Sequence, residues 1–155
     1  MVMTPPLTEQ EIRAALADVG DPEIPAVSIV DLGMIERIEI RPDAIHVELL
    51  PTFVGCPALE IIRARVTERL SEFGRPVVVA TTFRVPWTSD RITEAGRDKL
   101  RAAGFAPPAG DDAHVACPYC GSGNVALDNL FGPTQCRSVW HCEACRQPFE
   151  AFKPV

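Results

Sequence analysis

Two short cysteine pairs limit the fold of this chain more than any other feature. Cys117 and Cys120 are separated by two residues, 21 residues follow, and Cys142 and Cys145 repeat the spacing. Each pair can wrap two thiolates around one ion, and two such pairs suit a tetrahedral site. The gap is longer than the usual ~15–20 residues. A hairpin with a loop at Leu130-Phe131-Gly132-Pro133 is expected to absorb the excess. Gly121 follows the second cysteine and permits a tight turn whose N–H groups face sulfur. A segment of about 40 residues has too little core to fold reliably alone, and a bound ion supplies the missing stability. Zinc is the expected ion, with iron the alternative for the same thiolates. Residues 114–155 therefore read as a zinc-ribbon-like mini-domain. Its metal ligands are Cys117, Cys120, Cys142 and Cys145, and Trp140, Phe149 and Phe152 are expected to form its core. His114 and His141 stand beside a shell that four cysteines already complete.

The rest of the chain has a different texture. Thr8-x-x-Glu11 is a capping-box signature, and Ile12, Ala15, Leu16 and Val19 follow at helical spacing until Gly20. Asp21-Pro22-Glu23-Ile24-Pro25 has two prolines in five residues, which forbids a regular helix or a central strand. Taken alone, this rigid loop with two carboxylates is a solvated turn. Met34–Ile40 and Ala44–Leu50 form a hairpin around Arg41-Pro42-Asp43, with His46 on the outer face. Ala58–Phe73 carries an apolar stripe of Leu59, Ile62, Val66, Leu70 and Phe73, closed by Gly74. Val77–Phe83 is a continuous β-branched run and reads as a central, largely buried strand. Ser89 or Asp90 is expected to cap a last helix, with Ile92, Ala95, Leu100 and Ala103 inside and Gly104 as its stop. The order is α-β-β-α-β-α. A strand–helix–strand segment implies a right-handed crossover over a small mixed sheet. The expected architecture is thus an α/β domain at 1–105, a linker at 106–113 and the four-cysteine ribbon at 114–155.

Between the hairpin and the second helix lies Pro51-Thr52-Phe53-Val54-Gly55-Cys56-Pro57. Pro57 fits the first helical position, which places Cys56 where a helix begins. Unpaired N–H groups and positive partial charge gather there and ease ionisation of a thiol. Cys56 is then either a presented, reactive thiol or a small buried hydrophobe. Cys136 lies six residues before Cys142, outside both pairs. It is an additional thiol near the metal module, or an ordinary packed residue.

Charge and composition exclude several functions. The net charge is −6. Residues 111–155 hold only Arg137, Arg146 and Lys153 against five acids. No clustered basic surface for nucleic acid is present. No apolar run is long enough to span a bilayer, and Met1–Pro6 lacks the pattern of a signal peptide, so the cytosol is the expected compartment. Thiol catalysis usually needs a nearby base. The only histidines are His46, His114 and His141, and a thiol enzyme is the least favoured reading.

Three segments carry a family resemblance: Asp21-Pro22-Glu23-Ile24-Pro25 with Ser28-Ile29-Val30-Asp31-Leu32-Gly33; Pro51–Pro57; and Thr82-Phe83-Arg84-Val85-Pro86-Trp87-Thr88. Together they resemble the SufT-like family of iron–sulfur cluster assembly factors over about residues 8–105. The appended ribbon, with Phe131-Gly132-Pro133-Thr134-x-Cys136 and Cys142–Phe149, narrows the resemblance to the accessory subunits of the phenylacetyl-CoA epoxidase system. The resemblance implies a non-enzymatic role in maturing a metal centre or iron–sulfur cluster for the oxygenase and reductase of that system. A non-catalytic structural adaptor of the same complex is the alternative. It implies that Cys56 is the functional thiol and that Asp21 and Glu23 form the family's carboxylate loop. Transient iron or cluster at Cys56 would need further ligands, because such clusters usually take four. A homodimer, a partner-supplied ligand or Cys136 are the candidate sources.

Overall fold

The computed structural model describes residues 6–108 and 114–154. Residues 109–113 of the expected linker lie outside the described residues, as do 1–5 and 155.

The first helix, α1 (Glu9–Leu16), starts where the sequence places it. The Thr8 hydroxyl accepts from the Glu11 N–H, and the Glu11 carboxylate accepts from the Thr8 N–H at 2.8 Å. Removing the cap leaves an orphan donor, so Thr8→Ala should destabilise the protein by ~1 kcal/mol in a denaturant melt. Ile12, Ala15, Leu16 and Val19 are buried. β1 (Ile35–Ile40) and β2 (Ile45–Leu49) pair antiparallel, and β3 (Val77–Thr81) runs parallel to β2 after α2 (Ala58–Ser71). The mixed three-stranded sheet has the order β1-β2-β3. Ile45, Val47 and Leu49 point into the core with Ile62, Val66 and Leu70 of α2. Each such fully buried side chain contributes roughly 1.5–3 kcal/mol.

β3 is not central. It is an edge strand, alternately half-buried and exposed, with Val78 45% exposed. Its run of β-branched residues marks a strand but cannot say which neighbour lies beside it.

The last helix of this part also starts later than expected. Ser89–Arg91 forms a single 3₁₀ turn, and α3 runs from Glu94 to Ala102. Its cap is Thr93, whose hydroxyl accepts from the Gly96 N–H at 2.9 Å. Ile92 and Leu100 are buried as expected, but Ala95 and Ala103 are exposed and Gly96 faces inward. A Cβ on Gly96 would lie 2.7 Å from the Asp31 carbonyl oxygen, so the close approach of α3 needs glycine there.

Asp31 anchors this approach. Its Oδ2 accepts from the Ser28 N–H (2.9 Å), the Ser28 hydroxyl (3.0 Å) and Lys99 Nζ (2.7 Å). Burial alone would raise its pKa, but the Lys99 and Ser28 hydrogen bonds outweigh burial and hold the carboxyl below its ordinary value. A carboxyl depressed in the folded state stabilises the protein above its unfolded pKa. That stability is lost as pH falls through the folded pKa. Acid titration of stability should therefore steepen below about pH 4. Asp31→Asn should flatten that slope and lower stability at neutral pH; an unchanged slope would contradict this account.

β5 (Val125–Asn129), β6 (Arg137–Cys142) and β7 (Pro148–Phe152) form the expected ribbon, with antiparallel pairing throughout. Phe105–Ala106, here β4, pairs parallel with β7, giving the order β4-β7-β6-β5. The strand that follows α3 thus belongs to the ribbon's sheet. Phe149 lies in the ribbon's small core with Trp140 against it, but Phe152 packs into the core of the first part instead. The end of β7 therefore stitches the two parts together.

Candidate functional site

Two sulfur sites emerge, and they differ in how many donors they gather.

In the ribbon, the Sγ atoms of Cys117, Cys120, Cys142 and Cys145 all lie within 4.8 Å of one another. The Cys117–Cys145 and Cys120–Cys142 sulfurs are each 3.6 Å apart. A tetrahedral ion with Zn–S bonds of ~2.3 Å needs sulfurs roughly 3.8 Å apart, so these donors fit one. The two pairs are near-copies. The Cys117 carbonyl accepts from the Gly121 N–H and the Cys142 carbonyl from the Arg146 N–H, both at 2.9 Å. Gly121 has φ 76° and Arg146 has φ 65°. The left-handed conformation is costly for arginine. Arg146→Gly should therefore raise the stability of the metal-loaded protein by about 1 kcal/mol, seen as a higher Tm.

Backbone N–H groups of Cys145 and Ala144 outweigh burial and draw Cys142 down to about 7. At Cys145 the Gln147 N–H pulls the pKa down, but burial and the neighbouring thiols prevail and push it up to about 12. A metal would displace the protons these thiols share. His141 is not a competing ligand. Its Nδ1 meets Asp128 at 2.7 Å and its Nε2 meets Glu143 at 2.8 Å, and these carboxylates, Glu143 foremost, raise its pKa.

The second site lies at the seam between the two parts. A cleft of about 370 Å³ is lined by Glu23, Thr52, Cys56, Phe131, Thr134 and Cys136, among others. Cys56 enters from the turn before α2. Its N–H donates to the Phe53 carbonyl at 3.3 Å, and its carbonyl accepts from the Leu59 N–H at 3.2 Å. Pro57 caps α2 with helical backbone angles, one position earlier than the sequence placed it. Cys136 enters from the loop between β5 and β6, with its sulfur 3.1 Å from the Thr134 hydroxyl. Both thiols are half-buried and pack against the main core.

The electrostatics of Cys56 reverse the sequence expectation. Burial pushes its pKa up; the Ala58 N–H at the helix start opposes this and loses. Proximity to Cys136, Asp21 and Glu23 raises it further. The free thiol therefore keeps its proton, and a bound metal would have to displace it. Among the described residues, no histidine lines the cleft to serve as a base.

The two carboxylates of the proline-rich loop are already engaged. Asp21 Oδ1 accepts from the N–H groups of Glu23 (2.8 Å) and Ile24 (3.0 Å), which fixes the turn. Glu23 Oε2 accepts from Arg137 Nη2 at 2.8 Å. Arg137 also donates to Glu150 Oε2 (2.6 Å) and to the Thr134 hydroxyl (2.9 Å), and its guanidinium stacks 5.2 Å from the Phe105 ring centre. This buried arginine is the residue that sequence reasoning missed. Its only local signal is adjacency to Cys136; its partner Glu23 is 114 residues away.

Comparison with known proteins follows the same division. Residues 9–80 match the family model described as iron-sulfur cluster assembly protein, and residues 104–153 match that of the PaaD zinc beta ribbon domain. A protein of Escherichia coli (strain K12), provisionally named as one of the subunits of 1,2-phenylacetyl-CoA epoxidase, is 37% identical over 152 residues. That match covers 94% of this chain and 92% of the relative. The Bacillus subtilis (strain 168) Fe-S protein maturation auxiliary factor YitW is 31% identical over 95 residues, covering 59% of this chain and 92% of the relative. A solved domain of unknown function (DUF59) from Bacillus anthracis superposes with a TM-score of 0.55 at 26% identity. It covers 59% of this chain and 90% of that one. Fold and sites thus define an iron–sulfur assembly-type domain joined to a four-cysteine ribbon. The match to the Escherichia coli relative extends across both parts. The chain belongs to the PaaD family.

Proposed function

We propose that this protein is a maturation factor that supplies iron or an iron–sulfur cluster to the phenylacetyl-CoA epoxidase system in the cytoplasm. The observation that carries this reading is the half-buried thiol of Cys56 in an open cleft with no histidine among its described lining residues. The assembly-type domain and relatives named as maturation auxiliary factors support it. Cys56 holds the cargo, and the carboxylates of Asp21 and Glu23 shape the cleft and its charge. The four ribbon cysteines hold a structural zinc ion, which, when bound, supplies rigidity to the ribbon and no chemistry to the cargo. The clients are the oxygenase and reductase subunits, the protein turns over no substrate itself, and domains at 1–105 and 114–155 act as one unit.

The test uses cells that make the oxygenase and reductase with this chain, without it, or with Cys56→Ser. Purified clients should be metal-poor in the last two cases and metal-replete in the first. An adaptor role, the second reading, rests on the stitched seam between domain and ribbon. Full client metal content with Cys56→Ser would establish it in place of maturation.

A further inference from the structure

The cleft holds not one thiol but two, contributed by segments 80 residues apart in sequence. Cys56 comes from the assembly-type domain, and Cys136 comes from the ribbon loop. Neither lies in a disulfide, both are half-buried, and both line the same cavity. The geometry points to a two-thiolate landing site for iron, formed by Cys56 and Cys136 at the seam where the ribbon docks. This inference rests on the maturation reading and adds the second ligand, its source and the condition for its formation.

The contrast with the ribbon explains why such a site would be transient. Among the described residues, only the ribbon gathers three or more His, Cys, Asp or Glu placed to share one ion, its sulfurs within 4.8 Å of one another. A closed four-thiolate shell retains its ion. Two thiolates leave half of a tetrahedral shell open toward the mouth of the cleft, where sulfide or a client's own side chains can enter. The step is a proton exchange and transfers no electrons. Two thiols release two protons to water, and Fe(II) gains two Fe–S bonds in a neutral unit. Loading should therefore tighten as pH rises.

Docking of the ribbon sets the position of Cys136. Thr134 contacts the Cys136 sulfur and accepts from Arg137 Nε, and Arg137 in turn holds Glu23 on the opposite wall. The Lys153 N–H donates to the Cys136 carbonyl at 2.9 Å, tying the loop to the chain that follows β7. Cys136 is therefore delivered to Cys56 by the same contacts that join the two parts. A second ligand on the same chain acts at high effective concentration, and such a link is worth on the order of 100-fold in affinity.

The experiment loads the full chain, its ribbon first saturated with zinc, with Fe(II) and sulfide under anaerobic conditions. Wild type, Cys56→Ser, Cys136→Ser and the double variant are compared. Bound iron and sulfide per chain and the visible absorption of iron–thiolate bonds are read, with zinc content and thermal melting confirming the fold. Each single variant should weaken iron binding by about 100-fold, and the double variant should bind more weakly than either. A bifunctional bimane, fluorescent only after both its arms are displaced, should light up with zinc-filled wild type and with neither single variant. Wild-type loading by Cys136→Ser, with loading lost in Cys56→Ser, would overturn this inference and leave the maturation reading standing. Undiminished loading in the double variant would remove Cys56 from iron handling altogether and sink both.

Discussion

Cys142→Ser is expected to unfold the ribbon, not merely to weaken it. Cys142 is fully buried, its sulfur accepts from the Cys145 N–H at 3.4 Å, and it belongs to the tightest sulfur cluster in the protein. The ribbon's own core is small, with Ala106, Phe149 and Ala151 as its buried members besides two ligand cysteines. Metal binding in comparable small domains contributes an apparent ~10–16 kcal/mol at neutral pH, far more than that core can replace. The variant should lose its metal, and amides of β5 and β6 should exchange at the rate of an open chain. The first part should also be weakened, because Phe152 leaves its core. Chelation of wild-type metal should reproduce the same pattern. One tightly bound metal per chain and protected ribbon amides in Cys142→Ser would contradict this account.

The second large effect is expected at Arg137. Its side chain is 8% exposed and meets Glu23 and Glu150 together. Arg137→Met removes the cation and leaves two carboxylates facing a buried position. Breaking a buried pair from one side costs about 3–5 kcal/mol. Glu23 and Glu150 retain some access to water, which moves the expected loss to roughly 2–3 kcal/mol. For a chain of this size that corresponds to a fall in Tm on the order of 5–10 °C. Arg137→Lys should recover only part of it, since an ammonium lacks the planar fork that reaches two carboxylates and a hydroxyl. Iron loading should fall with stability, because the same guanidinium holds Thr134 beside Cys136. A melting temperature unchanged in Arg137→Met would show that the seam is not held as described.

What was legible in the sequence was local. The Thr8–Glu11 box, the stripe of α2 and the cysteine spacing each encode a contact within a few residues or around one ion. Those features fold as read. The misreadings arise where distant packing decides. Val77–Phe83 looks central because it is a continuous run rich in β-branched residues, yet the order of strands leaves its strand, Val77–Thr81, at an edge. Ser89 is a good cap in isolation, but α3 must approach Asp31 through Gly96, and that contact selects Thr93. Phe152 has the character of a ribbon core residue, and chain direction carries it into the neighbouring core.

The candidate site divides in the same way. The gathering of the four ribbon cysteines follows from spacing alone. The sequence offers Cys136 as one candidate ligand source, but its place in the Cys56 cleft, like the pairing of Arg137 with Glu23, depends on docking segments 80 and 114 residues apart, for which the sequence holds no periodic signal. The local rule for Cys56 pointed the wrong way. A helix start does lower a thiol's pKa, and the Ala58 N–H acts in that sense, but burial and the acidic loop prevail. That reversal argues against a nucleophile poised at neutral pH, and a metal would have to displace the proton.

Direct transfer tests the central claim. The chain is loaded with isotopically labelled iron and sulfide, freed of excess, and mixed anaerobically with metal-free oxygenase or reductase in the presence of a chelator that intercepts released iron. Label should pass to the client faster than the chelator captures it, and client activity should rise in step. Label found only in the chelator, with activity restored equally well by free iron, would contradict a maturation role.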